Sequence, residues 1–462
     1  MAITTRSSSS SSIARGWGVQ NAPETPLWNV IGDMASRSIT LLVKKLSRND
    51  VSWADDRGKH QAGFYVPSEI RTSGFFPNLH AAVAGKPHIF RAGCPTVWPQ
   101  TGEITQSNLS HYSNKGSEAH FTVVPRVLFQ GLSPASWLVG GRFDDDAGEP
   151  CHWFVTVDSA SEEAELLETA LDLNAQFHFA LFDPRDLLQA PGAFPQDEIS
   201  SLIEEIRTAL RSGTLNALLA QVSALPEPAA LAHAAQQQWM KEEGRSNLNP
   251  FDIEAPGDAL MRISRDLEYR IYRRYELRRR AVEVIRILIR EPDQVSSVVH
   301  GFSELDAVFL SASQQRKTRA GRSFEGHIAA MLRAGSIRFS EQAVTGGRRP
   351  DFVLPDARTF KLGHARTYNE ALVLSAKTTL RERWKQVSRE GFNCAVFLAT
   401  VDDRVPDAAI KEMASDGIGL VVPESLIRSN ETCYAKQSSV ISFRSFFRDE
   451  VRAKRKTLLV SV

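Results

Sequence analysis

Cysteine is scarce in this chain of 462 residues: the four present, Cys94, Cys151, Cys394 and Cys433, stand far apart with no Cys-x-x-Cys spacing. That distribution argues against a zinc site and against a disulfide framework, and it fits a reducing cytoplasm. Long apolar runs are missing as well. None approaches the roughly 20 residues needed to span a bilayer, so no membrane association is expected. There is no Gly-rich phosphate loop ending in Lys-Thr or Lys-Ser, which argues against an ATP-driven translocase. Excess charge of one sign is absent too, with 55 basic and 54 acidic residues and a net charge of +1. A polyanionic partner must therefore be met by a local surface. The charge is in fact uneven: residues 262–290 are packed with arginine, whereas 162–172 and 144–146 are acidic.

The length exceeds the roughly 250–300 residues that one core usually reaches, so more than one domain is expected. An apolar content of 42% suits a globular protein. The first twenty residues hold arginine and a serine run, Ser7 to Ser12, and no acid. Residues 1–25 read as a disordered leader, with a transit-peptide composition as the alternative.

What is present is concentrated late in the chain. Arg349-Pro350-Asp351-Phe352-Val353 opens one apolar strand, and Ala371-Leu372-Val373-Leu374-Ser375-Ala376-Lys377 closes a second on a lysine. This is the skeleton of a PD-(D/E)XK nuclease site. An aspartate supplies hard oxygen ligands to Mg2+. A lysine can orient or activate the attacking water and offset phosphate charge. The usual second acid sits two residues before the lysine, where this chain has Ser375, a poor substitute. Residues 380–390 read as a helix with Arg383, Gln386 and Glu390 on one face. Glu390, thirteen residues after Lys377, is then the displaced acid.

The blocks Lys377-Thr378-Thr379-Leu380-Arg381-Glu382-Arg383-Trp384-Lys385-Gln386 and Gln342-Ala343-Val344-Thr345-Gly346-Gly347-Arg348-Arg349-Pro350-Asp351-Phe352 resemble the EcoRII restriction endonuclease family and its relatives that cut CC-GG-type sites. So do Arg316 to Glu325 and Gly417 to Pro423, and the resemblance runs from about 260 to 445. It implies metal ligation by Asp351 and Glu390, with Glu325 as a further acid near the metal or merely a surface helix charge. It implies catalysis by Lys377, with Arg381 supporting the phosphate, and reading of G·C pairs by Glu382 and Arg383. Arginine can take O6 and N7 of guanine, and a carboxylate can accept from cytosine N4. Glu382 also completes a capping box with Thr379, so a structural role stays open. Arg265 and Tyr269, at i and i+4, correspond to the residues around flipped central nucleotides, unless the tyrosine simply packs on its own helix.

The amino-terminal part resembles the family's effector domain, a pseudobarrel akin to plant transcription-factor DNA-binding domains. Leu42 to Asp50 and His60 to Ser68 carry that resemblance, which brings Lys44, Lys45, Asn49, His60 and Tyr65 near DNA. The alternative is that His60 and Tyr65 only frame a turn and a strand. The loop from Tyr112 to His120 departs from the family pattern, with histidine where an arginine is expected, and this bears on effector binding.

Short strands are expected at 39–46, 63–67, 88–90, 121–124, 137–140 and 152–157, with a closing helix at 162–173. A connector with helices at 197–211 and 215–222 follows. Then come a long arginine-rich helix over 258–290, a helix over 323–334, and strands around Phe352, Val373, Val396 and Leu420 alternating with helices. The expected organisation is a leader (1–25), an effector pseudobarrel (26–182), a linker with helices (183–245) and an α/β restriction-endonuclease-like catalytic domain (246–462). The implied function is Mg2+-dependent cleavage of double-stranded DNA at a CCWGG-like site, by a homodimer restrained through its amino-terminal domain, with a methyltransferase partner acting on the same site. The alternative is a DNA-binding regulator with a vestigial nuclease centre.

Overall fold

The structure, a computed structural model, describes residues 26–56, 58, 62–81, 86–145, 148–174, 176–188, 196–342, 350–380, 393–435 and 437–459. The leader, His60 and all but Leu380 of the expected helix at 380–390 lie outside these residues. Two compact units are present: Met1–Gly192 with Asn430–Cys433, and Ala193–Ser429 with Tyr434–Val462.

The first unit is built on a nine-stranded, mostly antiparallel sheet. Its strands are β1 (Thr40–Lys45), β2 (Phe64–Val66), β3 (His80–Ala81), β4 (Ile89–Trp98), β5 (Glu103–Tyr112), β6 (Ala119–Thr122), β7 (Trp137–Asp144), β8 (Pro150–Val157) and β9 (Phe179–Phe182). The order is β2-β6-β5-β4-β8-β7-β1-β9, with β3 on β4. Both faces are buried. Leu41 and Val43 of β1, Trp137 and Val139 of β7, and Trp153 and Val155 of β8 enter one core with the Leu27–Ser36 helix. Leu42, Leu138 and Phe154 alternate with them into a second core, with Trp53, Phe64, Trp98 and Phe121. Burial on both faces is why β1 reads as a continuous apolar run rather than an alternating one. All four cysteines are buried free thiols, and burial pushes Cys94 up to about 12 and Cys151 up to about 11.

The structure adds elements that sequence reasoning missed. The expected strand at 88–90 extends to Trp98 and pairs in register with β5 along its whole length, from Ile89 opposite Tyr112 to Trp98 opposite Glu103. Pro95 inside β4 weakens a strand reading. β5 is largely polar, and its inward positions include Ser107 and Ser110. Neither strand shows the apolar alternation that marks a half-buried strand.

The second unit carries a six-stranded mixed sheet in sequence order: β10 (Ser340–Glu341), β11 (Phe352–Leu354), β12 (Leu372–Ala376), β13 (Ala395–Ala399), β14 (Ile418–Val422) and β15 (Val440–Ser442). The first two pairings are antiparallel and the remaining three parallel. Strands β11 to β14 are almost wholly apolar and buried, as a sheet covered on both faces requires.

Three expectations need correction here. The stretch expected as a linker is not a free connector. Ile206, Ala209, Leu215 and Leu218, from helices Gln196–Arg211 and Leu215–Val222, form a core with Val282 of the arginine-rich helix. Helix Pro228–Glu242 buries Leu231, Ala235 and Trp239. Apolar spacing within these short Ala- and Leu-rich helices was the available signal, and the surrounding Pro and Gln masked it. The arginine-rich segment is not one uniform helix: it runs as Pro256–Met261, a π-helical stretch Arg262–Leu267, then Glu268–Leu288. The helix expected at 323–334 begins at Phe302 and has 33 residues. Its amino-terminal half leaves Phe302, Phe309 and Leu310 exposed, so it lacks the apolar stripe that announces a helix.

His152 gives the first unit a sensitivity to acid. It is fully buried, its Nε2–H donates to the Phe75 carbonyl at 2.8 Å, and Nδ1 has no partner among the described residues. Burial pulls its pKa down to about 4. The unfolded chain takes up this proton near 6.5, so stability present above that pH is lost as the pH falls toward 4, by about 3 kcal/mol at most. In urea unfolding followed by tryptophan fluorescence, His152→Met is expected to flatten the loss of stability between pH 6.5 and 4. An unchanged slope would contradict this assignment.

Candidate nuclease site

β11 and β12 pair antiparallel with Phe352 opposite Leu374, which sets Asp351, just before β11, beside the end of β12. Asp351 Oδ2 accepts from the Ala376 N–H at 2.8 Å and from Lys377 Nζ at 2.9 Å. Lys377 extends the β12–β13 ladder by one residue, its N–H donating to the Ala399 carbonyl at 3.0 Å. The lysine is thus fixed by backbone on one side and by a carboxylate on the other. Ser375 is buried in β12.

A third group comes from the Phe302–Ala334 helix. Glu325 Oε1 lies 3.8 Å from Lys377 Nζ. Burial pushes the Glu325 carboxyl up, and the nearby Asp351 adds to this; the Lys377 ammonium and a hydrogen bond from Gln342 oppose it. Gln342 adopts a left-handed backbone (φ 50°), rare for a residue with a side chain, and its N–H donates to the Asp351 carbonyl at 2.9 Å. Sequence reasoning quoted Gln342 only as part of a motif; nothing in its type announces this contact.

Two carboxylates converging beside one ammonium form an all-oxygen donor pair of the kind that a hard divalent cation takes. Among the described residues no group of three or more His, Cys, Asp or Glu side chains could hold a metal ion. The third expected acid, Glu390, lies outside the described residues, as do Arg381, Glu382 and Arg383.

Arg265 falls within the π-helical stretch. Its Nη1 donates to the Val401 carbonyl and to Asp403 Oδ1, each at 3.2 Å. Tyr269 is half-buried on the following helix. π-helical turns interrupt a helix at a cost and are often found at functional sites. The neighbouring arginines are mostly neutralised in pairs. Arg262 meets Glu242 and Glu243, Arg274 meets Glu198, and Arg279 and Arg280 share Glu283. Arg262 and Arg274 thereby knit neighbouring helices together, whereas Arg279 and Arg280 are neutralised within their own helix.

In the first unit, Lys44 and Lys45 are nearly buried. Lys44 is ion-paired with Asp50, and Lys45 Nζ lies 5.2 Å from the Trp137 ring centroid. Asp50, buried in helix Arg48–Asp55, also accepts from Ser47 N–H and Oγ at 2.8 Å and from Tyr65 N–H at 2.7 Å. Asn49 is exposed. Tyr65 stacks on His120 across β2 and β6, with centroids 5.0 Å apart. Burial lowers the His120 pKa, opposed by Asp50 and by a backbone hydrogen bond to Gly63.

A mixed sheet with an aspartate and a lysine meeting at the shared end of two antiparallel strands, and an acid reaching them from a flanking helix, is the arrangement of a restriction-endonuclease-like α/β domain. Residues 282–447 match the family described as EcoRII C terminal. The chain is 25% identical over 421 residues to the type II restriction enzyme EcoRII of Escherichia coli, covering 86% of this chain and 91% of that enzyme. It is 26% identical over 159 residues to the type II restriction enzyme SsoII of Shigella sonnei, covering 32% of this chain and 50% of that one. A solved structure of metal-depleted Ecl18kI in complex with uncleaved DNA aligns with a TM-score of 0.43 at 21% identity, over 54% of this chain and 87% of that one. The second unit thus carries a region matching the EcoRII C-terminal family, and the chain is similar to a type II restriction enzyme over most of its length. No helix of the described residues is long and apolar enough to cross a membrane.

Asp50 is the structural keystone of the first unit's candidate DNA face. Asp50→Ala is expected to lower stability by about 3–5 kcal/mol, because it leaves the Lys44 charge buried without a partner. Denaturant unfolding checks this, and adding Lys44→Met should recover much of the loss.

Proposed function

We propose that the chain is a sequence-specific type II restriction endonuclease that hydrolyses phosphodiester bonds of duplex DNA to 5′-phosphate and 3′-hydroxyl ends. The observation that carries this reading is the meeting of Asp351, Glu325 and Lys377 at one point of the second unit. Asp351 and Glu325, with Glu390, would hold Mg2+, which when bound supplies Lewis-acid polarisation of the scissile phosphate. The Lys377 ammonium, held 2.9 Å from Asp351, orients the attacking water and offsets charge that builds on the phosphate oxygens. Arg381 supports the phosphate.

The target in this reading is a CC-GG-type, CCWGG-like site. Glu382 and Arg383 read the outer G·C pairs from the major groove. Arg265 and Tyr269 stack on the central nucleotides. One active site per chain and two strands to cut imply a homodimer on a near-palindromic target. The first unit, read as a pseudobarrel, takes a second DNA copy near Lys44, Lys45, Asn49, His60 and Tyr65, and restrains cleavage until that copy is bound. A methyltransferase protecting the same site completes the system, in the cytoplasm.

With Mg2+ and a plasmid carrying several candidate sites, the wild type is expected to give discrete fragments. Asp351→Ala is expected to slow cutting by about a thousandfold or more while leaving DNA binding measurable. Tight binding without cleavage by the wild type, under the same conditions, would contradict the proposal.

A further inference from the structure

Two acidic residues in the turn after β13 take no part in the chemistry above. Asp402 and Asp403 are both buried. A buried carboxylate is costly unless its oxygens are hydrogen-bonded, so its partners indicate its use. Asp402 Oδ1 accepts from the Arg404 N–H at 3.0 Å, a local turn contact that any aspartate in a loop makes. Its Oδ2, however, accepts from the Leu380 N–H at 2.8 Å, a residue 22 positions away. The Asp402 N–H donates to Thr400 Oγ1 at 3.1 Å, and that hydroxyl donates to the Thr378 carbonyl at 3.4 Å. Thr378 and Leu380 belong to the short stretch between Lys377 and the Arg381-Glu382-Arg383 block.

Asp403 faces the other way. It receives Arg265, whose Nη1 also donates to the carbonyl of Val401 in the same turn. The Tyr434 hydroxyl closes the turn from behind, donating to the Asp402 carbonyl. Five residues, 400–404, therefore join the chain leaving Lys377 to the π-helical stretch that carries Arg265.

We infer that this turn is the positioning element that holds the chain leaving Lys377, as far as Leu380, and Arg265 in fixed relation to each other. Asp402 sets Leu380, from which the sequence runs into the Arg381-Glu382-Arg383 block, and Asp403 sets Arg265. Neither touches DNA. Both act as positioning residues that convert correct base contacts into correct placement of the catalytic lysine. Aspartate is needed at 402 because two N–H donors converge on its two oxygens. Asparagine of the same size would turn an NH2 toward one of them. The inference rests on the nuclease reading above.

The test uses the full-length chain and duplex oligonucleotides bearing the target found from the ends of wild-type plasmid fragments. Single-turnover cleavage with Mg2+ is measured on that duplex and on duplexes with one outer or one central base pair changed, beside thermal unfolding midpoints. Asp402→Asn is expected to slow cutting of the intact target about tenfold but to slow cutting of the outer-pair variants much less, so discrimination at the outer pairs narrows. Asp403→Asn is expected to narrow discrimination at the central pair instead. Thr400→Val, which keeps shape and removes only the hydroxyl link, is expected to follow Asp402→Asn with a smaller effect and provides the test if Asp402→Asn does not fold. Equal slowing on every duplex, with the ratios kept, would overturn the inference and leave the turn merely structural. Wild-type rates and ratios in all three variants would overturn it too. Failure of the wild type to cut any duplex would instead remove the nuclease reading, and this inference with it.

Discussion

The contact between Lys377 and Asp351 is the constraint around which the second unit is arranged. An ammonium and a carboxylate 2.9 Å apart at the edge of an apolar sheet are stable there only because each is also fixed by backbone. The Ala376 N–H holds Asp351, and the Ala399 carbonyl holds the Lys377 N–H. The antiparallel β11–β12 pairing brings the two residues to the same end, and the parallel β12–β13 pairing fixes the lysine from the far side. Glu325 completes the cluster from a helix, where burial pushes its carboxyl up and the nearby Asp351 adds to this. The same sheet then carries its next turn, at 400–404, across to Arg265.

Charge placement follows a similar logic elsewhere. A net charge of +1 left no global attraction to polyanions, and the arginine-rich helix looked like the natural compensation. The structure pairs Arg273, Arg279 and Arg280 with glutamates of their own helix, and Arg262, Arg274 and Arg278 with glutamates of neighbouring helices. The role of the latter three is architectural: they hold the Gln196–Arg211 and Pro228–Glu242 helices onto the unit. In the first unit, Lys44 likewise supports a local frame of Ser47, Asp50 and Tyr65. Near this frame the exposed Asn49 and the stacked Tyr65–His120 pair are the groups presented by the surrounding elements.

Much of the second unit was legible in its sequence, because the apolar strands that Asp351 precedes and Lys377 follows announce their own conformation. Glu325 was legible only as an acid on a helix whose other face is buried. What could not be read was whatever depends on contacts distant in sequence. Asp402 and Asp403 look like an ordinary acidic turn until Leu380 and Arg265 are brought to them. Gln342 gives no sign of its left-handed backbone. The β4–β5 hairpin hides behind Pro95 and a serine-rich partner strand, and its polar inward positions are tolerated because side-chain bonds such as Ser107 Oγ to the Val123 carbonyl satisfy them. The helices between 196 and 242 carry apolar residues too few and too small to declare a core that forms only against Val282 and its neighbours.

The central claim is that one cluster, Asp351 with Lys377 and Glu325, belongs to an enzyme that cuts duplex DNA at a fixed sequence. Its most direct test is to incubate the full-length chain and Mg2+ with a library of linear duplexes containing random inserts, and to sequence every new 5′-phosphorylated end. The account predicts that the ends converge on a single short, near-palindromic motif with G·C pairs at its outer positions. Ends scattered without a common motif, or none above those in a Lys377→Met control, would contradict it.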